Sequence, residues 1–143
     1  MKLVLDTNIL VSALIKAGKP RELLYKIVEG EVQLFLSRGI LEEFLNVADD
    51  PRIRRYVNEG DIIAFLRVVG SIAKIVRVRS KFKVVKDDPD DDIILRTAHD
   101  CRANYIVSGD KHLLSLKEFR GIRIVTANEM LKLLERLSRR TTQ

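Results

Sequence analysis

Short apolar runs of strand length alternate with helix-like segments along the whole sequence, and this alternation restricts the possible fold more than any other feature. The runs contain few charges, as expected for strands covered on both faces. They lie at residues 1–5, 32–36, 75–78, 105–107 and 122–125. Strands separated by helices form right-handed crossover units. The sequence therefore predicts an α/β fold, a three-layer α/β/α sandwich around a central, mostly parallel sheet of four to five strands.

Helix start and stop signals fill the intervals between these runs. Pro20 suits the first turn of a helix that Gly30 ends, and Ser37 is a suitable N-cap for the helix after the second strand. The predicted helices cover residues 20–29, 39–48, 52–57, 61–73, 88–102, 111–115 and 127–137. Residues 9–15 form an apolar stretch, and residues 79–86 a basic loop with extended character.

The length and cysteine content set further bounds. With 143 residues the chain is expected to form one domain that needs no disulfide or structural metal. Cys101 is the single cysteine, so it cannot form an internal disulfide or a cysteine-based zinc site, and helical periodicity turns it toward the core. No apolar run reaches the length of a membrane span, and no signal-peptide pattern precedes the first strand. The expected location is the cytoplasm.

Acidic residues are concentrated at Asp6, Glu43, residues 90–92 and Asp110. Asp6 directly follows the first strand, and Asp110 follows the fourth, so both are expected in the crevice at the carboxyl ends of a parallel sheet. Several carboxylates in one crevice repel each other unless a cation balances them. Mg²⁺ or Mn²⁺ suits a site made only of oxygen ligands. These positions suggest a metal-dependent nuclease.

Simpler explanations exist for each acid taken alone. Asp6 and Asp110 could cap turns, and Asp88 with the acids after it could favour a helix start through capping and the helix dipole. Helical periodicity nevertheless places Glu43 at the edge of an apolar arc and turns Asp91 toward the sheet, with Asp90 and Asp92 on either side of it. One shared site explains all four positions better than four coincidences.

Basic residues exceed acidic ones, 26 against 20, which gives a formal charge of +6. If the acids surround a metal in one pocket, the remaining surface is more basic than this average, which suits RNA or DNA. The basic clusters are Arg52, Arg54, Arg55; Lys74, Arg77, Arg79, Lys81, Lys83, Lys86; and Arg136, Arg139, Arg140. His99 and His112 form no metal pair, although His112 could contact substrate at the mouth of the crevice.

Four motifs in this order resemble those of the PIN-domain ribonucleases, and within them the VapC-like toxins of toxin–antitoxin pairs. The resemblance covers nearly the whole chain. Its motifs are residues 5–10 (LDTNIL), Ser37 with residues 41–44 (LEEF), residues 88–92 (DPDDD) with Leu95 and Ala98, and residues 106–114 (IVSGDKHLL). The family usually has Thr where this chain has Ser108, a change that keeps the hydroxyl.

The resemblance implies a single PIN-like nuclease domain over residues 1–143 and assigns roles to particular residues. The catalytic and metal-binding acids would be Asp6, Glu43, Asp91 and Asp110. The supporting polar residues would be Thr7, Asn8 and Ser108. Asp92 is a neighbouring acid that could share or replace the role of Asp91. The implied reaction is hydrolysis of an RNA phosphodiester with Mg²⁺ or Mn²⁺, and the implied partners are an antitoxin protein and a second copy of the chain.

Three other functions fit parts of the pattern. A structure-specific DNA nuclease has related acids but a longer chain. A phosphoacceptor receiver domain would need an acceptor Asp after the third strand, where this chain has Arg77 and Arg79. A PIN-like module that binds RNA or a partner without cutting it is the remaining alternative, and retention of all four carboxylates argues against it.

Overall fold

A computed structural model describes residues 1–30, 32–85 and 88–141. Within these residues six strands form one sheet: β1 (Lys2–Leu5), β2 (Gln33–Ser37), β3 (Ala73–Val76), β4 (Tyr105–Val107), β5 (Glu118–Phe119) and β6 (Ile122–Val125). The helices are α1 (Thr7–Ile15), α2 (Lys19–Val28), α3 (Arg38–Ala48), α4 (Pro51–Arg54), α5 (Glu59–Ile72), α6 (Pro89–Cys101), α7 (Lys111–Leu116) and α8 (Ala127–Thr141).

The strand order is β3-β2-β1-β4-β6-β5, and all pairs are parallel except β5 with β6. Successive side chains of a strand point to opposite faces, and Leu3, Val4 and Leu5 are all at most 1% exposed. Both faces of β1 are therefore covered, and the predicted α/β class with its mostly parallel sheet is confirmed. The strand order reverses between β1 and β4, which creates a crevice at their carboxyl ends.

The sheet has one strand more than the sequence predicted. The additional strand is β5, which is only two residues long. It pairs with β6 through a two-residue turn in which Arg120 and Gly121 both have positive φ, 49° and 84°. Two positive φ values in succession fit the tight hairpin turns that match strand twist. A strand this short carries no apolar pattern, so only the turn could have revealed it.

β3 begins two residues earlier than the β-branched run at 75–78 predicts. Pairing with β2 sets its position, with Ala73 opposite Leu34 and Val76 opposite Ser37. Because β2 ends at Ser37, residues after Val76 have no strand beside them and leave the sheet. Cross-strand pairing thus overrides local β propensity here.

The predicted basic loop begins beyond β3. We call residues 77–85 the basic strap; they have no regular secondary structure, and Lys86, the last residue of the prediction, lies outside the described residues. The strap runs antiparallel to α6, and three charged side chains of that helix hold its backbone. Asp100 accepts hydrogen bonds from the amides of residues 79 and 80, Arg96 donates to the carbonyl of residue 82, and Asp92 accepts from the amides of residues 84 and 85.

Cys101 is 8% exposed at the end of α6, and its thiol lies within hydrogen-bond distance of the Ala98 carbonyl. This agrees with the predicted core position. Across the parts of the chain that are described, no helix combines the length and the apolar character needed to cross a membrane.

Candidate active site

Asp6 lies immediately after β1 and joins the two central strands of the sheet. Its backbone amide donates to the carbonyl of Val107, the last residue of β4 (2.9 Å), and its carboxylate accepts a 2.6 Å hydrogen bond from the Ser108 hydroxyl. Asp6 is 5% exposed and Ser108 is fully buried. The hydroxyl that the sequence identified as a support therefore fixes one oxygen of this carboxylate.

Glu43 approaches the same region from α3. The Thr7 hydroxyl donates to its Oε2 atom (3.2 Å). Ser37 sets the start of α3, since its side chain accepts from the amide of Ile40, and Thr97 of α6 donates to the Ser37 hydroxyl (2.8 Å). The predicted cap at Ser37 is confirmed, and it holds the helix that carries Glu43 against α6.

Asp88, Asp91 and Asp110 form a compact group of acids among the described residues, with one carboxylate oxygen of each within 4.8 Å of the others. Asp88 and Asp110 also cap helices, accepting from the amides of Asp90 and His112 respectively. Asp91 is 4% exposed, and its Oδ2 atom has no hydrogen-bond partner among the described residues. A buried carboxylate oxygen without a donor is costly unless a cation compensates it.

Burial and neighbouring negative charges raise the pKa values of three carboxylates of the candidate site. Burial, followed by the charges of Asp110, Asp88 and Asp6, raises the pKa of Asp91 to about 7. Burial and the neighbouring charge of Asp90 raise the pKa of Glu43 to about 7. Burial also raises the pKa of Asp6, although the Ser108 hydrogen bond opposes this.

The charge of Asp6 raises the pKa values of both Asp91 and Glu43, and the charge of Asp110 raises those of Asp6 and Asp91, so the predicted acids are linked through Asp6. The donors are all carboxylate oxygens, and one of them is buried without a partner, so the residues fit a hard divalent cation such as Mg²⁺ or Mn²⁺. Asp91, Asp110 and Asp88 are the residues closest together for holding it, with Asp6 beside them.

The sequence interpretation left Asp88 out of the site, because it identified this residue as the cap of the helix that begins at Pro89. It accepts its capping hydrogen bond at Oδ1. A carboxylate has a second oxygen and spare lone pairs, so capping and cation binding do not exclude each other. The excess of acids over what a cap requires was the available signal.

The remaining candidates occupy distinct positions. Asn8 is exposed on the first turn of α1. His112 is exposed at the start of α7, and its charge lowers the pKa of Asp91, so its ring lies near this carboxylate. His99 instead packs edge-on against Phe82, with ring centroids 5.6 Å apart.

Asp92 differs from Asp91 in what its carboxylate does. It is 3% exposed, and its Oδ1 atom accepts hydrogen bonds from the amides of Val84 (2.8 Å) and Val85 (3.0 Å) in the basic strap. The exposed Asp90 lies near Glu43 instead. The three adjacent acids thus have different surroundings: Asp90 lies near Glu43, Asp91 near Asp88 and Asp110, and Asp92 against the basic strap.

Substitutions at Asp92 are expected to affect stability rather than chemistry. Asp92→Asn keeps an oxygen acceptor for the two amides, whereas Asp92→Ala leaves both unpaired and should lower the free energy of unfolding by about 2–3 kcal/mol. Urea unfolding should rank the native chain above Asp92→Asn and both above Asp92→Ala. If Asp92→Asn kept full stability but lost metal-dependent nuclease activity, the carboxylate would have a role in the site as well.

Comparisons with known proteins agree with this architecture. The family model for the PIN domain matches residues 2–112. An uncharacterized protein of Methanocaldococcus jannaschii, MJ1680, is 34% identical over 120 residues, which are 82% of this chain and 76% of that protein.

A solved structure is similar as well. It is the crystal structure of VapBC2 from Rickettsia felis bound to a DNA fragment from their promoter, with a TM-score of 0.60 and 17% identity over 87% of this chain and 97% of the compared chain. At this identity the likeness concerns the fold. The family match, spanning the β1, α3, α6 and β4 segments that carry the acids, shows that this chain belongs to the PIN domain family.

Proposed function

We propose that the chain is a metal-dependent endoribonuclease that hydrolyses RNA phosphodiester bonds. The observation that carries this proposal is the group of Asp88, Asp91 and Asp110, in which Asp91 presents a buried oxygen without a hydrogen-bond donor. PIN domains are, as a family, generally metal-dependent nucleases. The surplus of basic residues elsewhere suits a polyanionic substrate.

Each acid has a role that its surroundings support. Asp91, Asp110 and Asp6 would hold Mg²⁺ or Mn²⁺, and Asp88 is close enough to contribute. When bound, the ion supplies activation of the attacking water and stabilisation of charge on the phosphate. Glu43, with a pKa of about 7, can accept a proton near neutral pH, and Thr7 orients its carboxylate.

Other residues position this machinery. Ser108 holds the Asp6 carboxylate in one orientation through a 2.6 Å hydrogen bond. Asn8 and His112 are both exposed, and they would contact the RNA strand rather than the ion. The attack is by water, in line with the leaving oxygen, so no side chain needs to become a covalent nucleophile, and the products carry a 5′-phosphate and a 3′-hydroxyl.

The family likeness also supports a proposal about the cellular context. We propose that the whole chain is one nuclease domain that acts as the toxin of a toxin–antitoxin pair in the cytoplasm, as a homodimer held inactive by an antitoxin. The fold shared with the VapBC2 structure supports this context. The alternative is a PIN-like module that binds RNA or a partner without cutting.

Cleavage of labelled single-stranded RNA tests the proposal. The native chain should cut with Mg²⁺ or Mn²⁺ and be inactive with chelator. Asp6→Asn and Glu43→Gln should each reduce cleavage about a hundredfold or more, since each removes a charge from the reacting centre.

Glu42→Gln is the matched control, because Glu42 neighbours Glu43 in sequence but is exposed and paired with Arg38. It should cut like the native chain, and cooperative melting curves should show that every variant is folded. RNA binding without metal-dependent cleavage by the native chain would favour the non-catalytic module instead.

A further inference from the structure

The basic strap is more ordered than a loop that only connects two elements. From residue 77 to residue 83 exposed basic residues alternate with half-buried ones, so that one edge of the strap carries a row of positive charges. The exposed residues are Arg77, Arg79, Lys81 and Lys83, and the half-buried ones between them are Val78, Ser80 and Phe82. We propose that this row is a binding site for the phosphate backbone of single-stranded RNA, which it guides toward the acidic cluster.

Hydrogen bonds from α6 hold the strap in a defined path. Its backbone is fixed at three successive points by Asp100, Arg96 and Asp92, which lie four residues apart on α6. Residues at this spacing share one helix face. A segment fixed in this way loses little further conformational entropy when it binds a ligand.

Phe82 provides an additional anchor at the centre of the strap. Its ring packs against Phe119 (centroids 5.3 Å apart) and against the edge of His99, and the Arg120 guanidinium lies 4.4 Å from its centroid. With Phe82 turned toward the protein, its neighbours Lys81 and Lys83 are turned toward solvent. The aromatic ring is thus used for attachment, not for stacking on bases.

The spacing of the exposed charges suits a nucleic-acid strand. Alternate residues of an extended segment repeat about every 6.6 Å, close to the distance between neighbouring phosphates in an extended strand. Positively charged grooves that follow a strand's backbone are the usual way to bind single strands without sequence preference. None of the four charges forms a salt bridge within the part of the chain that the structure describes.

The direction of the strap connects it to the site. The contacts run from Asp100 at the end of α6 to Asp92 near its beginning, so the strap proceeds toward the N-terminus of α6. Asp88 and Asp91 stand at that end. A strand bound along the strap would therefore arrive at the acidic cluster. This inference deepens the proposed ribonuclease function and rests on it for the identity of the ligand.

Binding can be tested separately from cleavage. All binding measurements use the Asp6→Asn background with Mg²⁺, a labelled single-stranded RNA and fluorescence anisotropy over a series of salt concentrations. The strap variant combines Arg77→Gln, Arg79→Gln, Lys81→Gln and Lys83→Gln. The control variant combines Lys26→Gln, Lys132→Gln, Arg67→Gln and Arg123→Gln. It also removes two lysines and two arginines, from exposed positions of α2, α8, α5 and β6 that lie outside the basic clusters.

The strap variant should bind RNA about tenfold or more weakly, and its slope of log K against log salt should be shallower by up to about 2.8, four phosphate contacts at about 0.7 each. The control should change much less. With Asp6 restored, the strap variant should need more RNA for half-maximal cleavage but cut at a near-native rate when saturated. Circular dichroism melts verify that both variants are folded.

The outcomes separate the two proposals. Equal losses in both variants, or no loss in the strap variant, would overturn the role of the strap, and cleavage by the native chain would then still support the nuclease. Binding that depends on the strap in a native chain that never cuts would retain the binding site and reject the catalytic function. Failure of the Asp6→Asn chain to bind RNA at all would overturn the binding site.

Discussion

Replacing Asp91 by Asn is expected to abolish metal-dependent cleavage and, at the same time, to raise the thermal stability of the metal-free chain. The native carboxylate is 4% exposed, has an oxygen without a donor, and is repelled by Asp110, Asp88 and Asp6. An amide of the same shape removes this charge. Stability and function therefore make opposite demands at this position, as is common where a site is arranged for a ligand.

The expected stability gain for Asp91→Asn without metal is about 1 kcal/mol or more, which corresponds to roughly 3–5 °C in a domain of this size. Differential scanning calorimetry with chelator measures it. With Mg²⁺ the native chain should be stabilised and the variant much less so, because the ion binds only where the carboxylates can hold it. Activity should fall about a hundredfold or more.

Asp49→Asn serves as the control, since Asp49 is exposed and its only recorded ion pair among the described residues is with Arg54. It should neither gain stability without metal nor lose the response to Mg²⁺. If Asp91→Asn were less stable than the native chain in chelator, the Asp91 carboxylate would stabilise the metal-free fold. The idea that repulsion from neighbouring acids destabilises it without a cation would then be wrong.

The fold could be predicted from sequence because local signals and the sheet agree. Ser37 caps α3 and Pro89 opens α6, as expected, and the apolar runs became β1, β2, β4 and β6 with small shifts at their ends. The shift of β3 came from its pairing with β2, which no local pattern contains. β5 was missed because two residues cannot display periodicity, and its turn uses Arg120 where Asn or Asp would have signalled a hairpin.

The sequence could predict that Asp6, Asp91 and Asp110 lie near one another, but not what each of the adjacent acids contacts. Position after β1 and β4 identified Asp6 and Asp110, and helical periodicity distinguished Asp91 from its neighbours. The use of Asp92 to hold the basic strap was not predictable, because the strap's path along α6 depends on tertiary contacts from Arg96 and Asp100. Adjacent acids look equivalent in sequence and acquire different functions only through what each one touches.

The contribution of Asp91 and Glu43 to the stability of the metal-free chain is expected to fall as pH rises from about 4 to about 7, and Mg²⁺ is expected to reverse this fall. Asp91 and Glu43 have ordinary pKa values of 3.8 and 4.5 when unfolded but about 7 when folded. Between these limits the folded state binds more protons than the unfolded state, so each pH increase favours unfolding. The pKa values of Asp50 and Asp100 are lowered, so these two carboxylates contribute in the opposite sense, and the total curve contains both effects.

The contribution of the site can be isolated by comparing melting temperatures of the native chain and Asp91→Asn at several pH values between about 5 and 8. In chelator the advantage of the variant should grow as pH rises, because the native Asp91 becomes ionised without a partner. In saturating Mg²⁺ the order should invert near and above pH 7, where the ion displaces the protons and stabilises the native cluster. A difference that stays constant across this range in chelator would show that Asp91 is ionised throughout, and the repulsion among the carboxylates would then be relieved by something other than a proton.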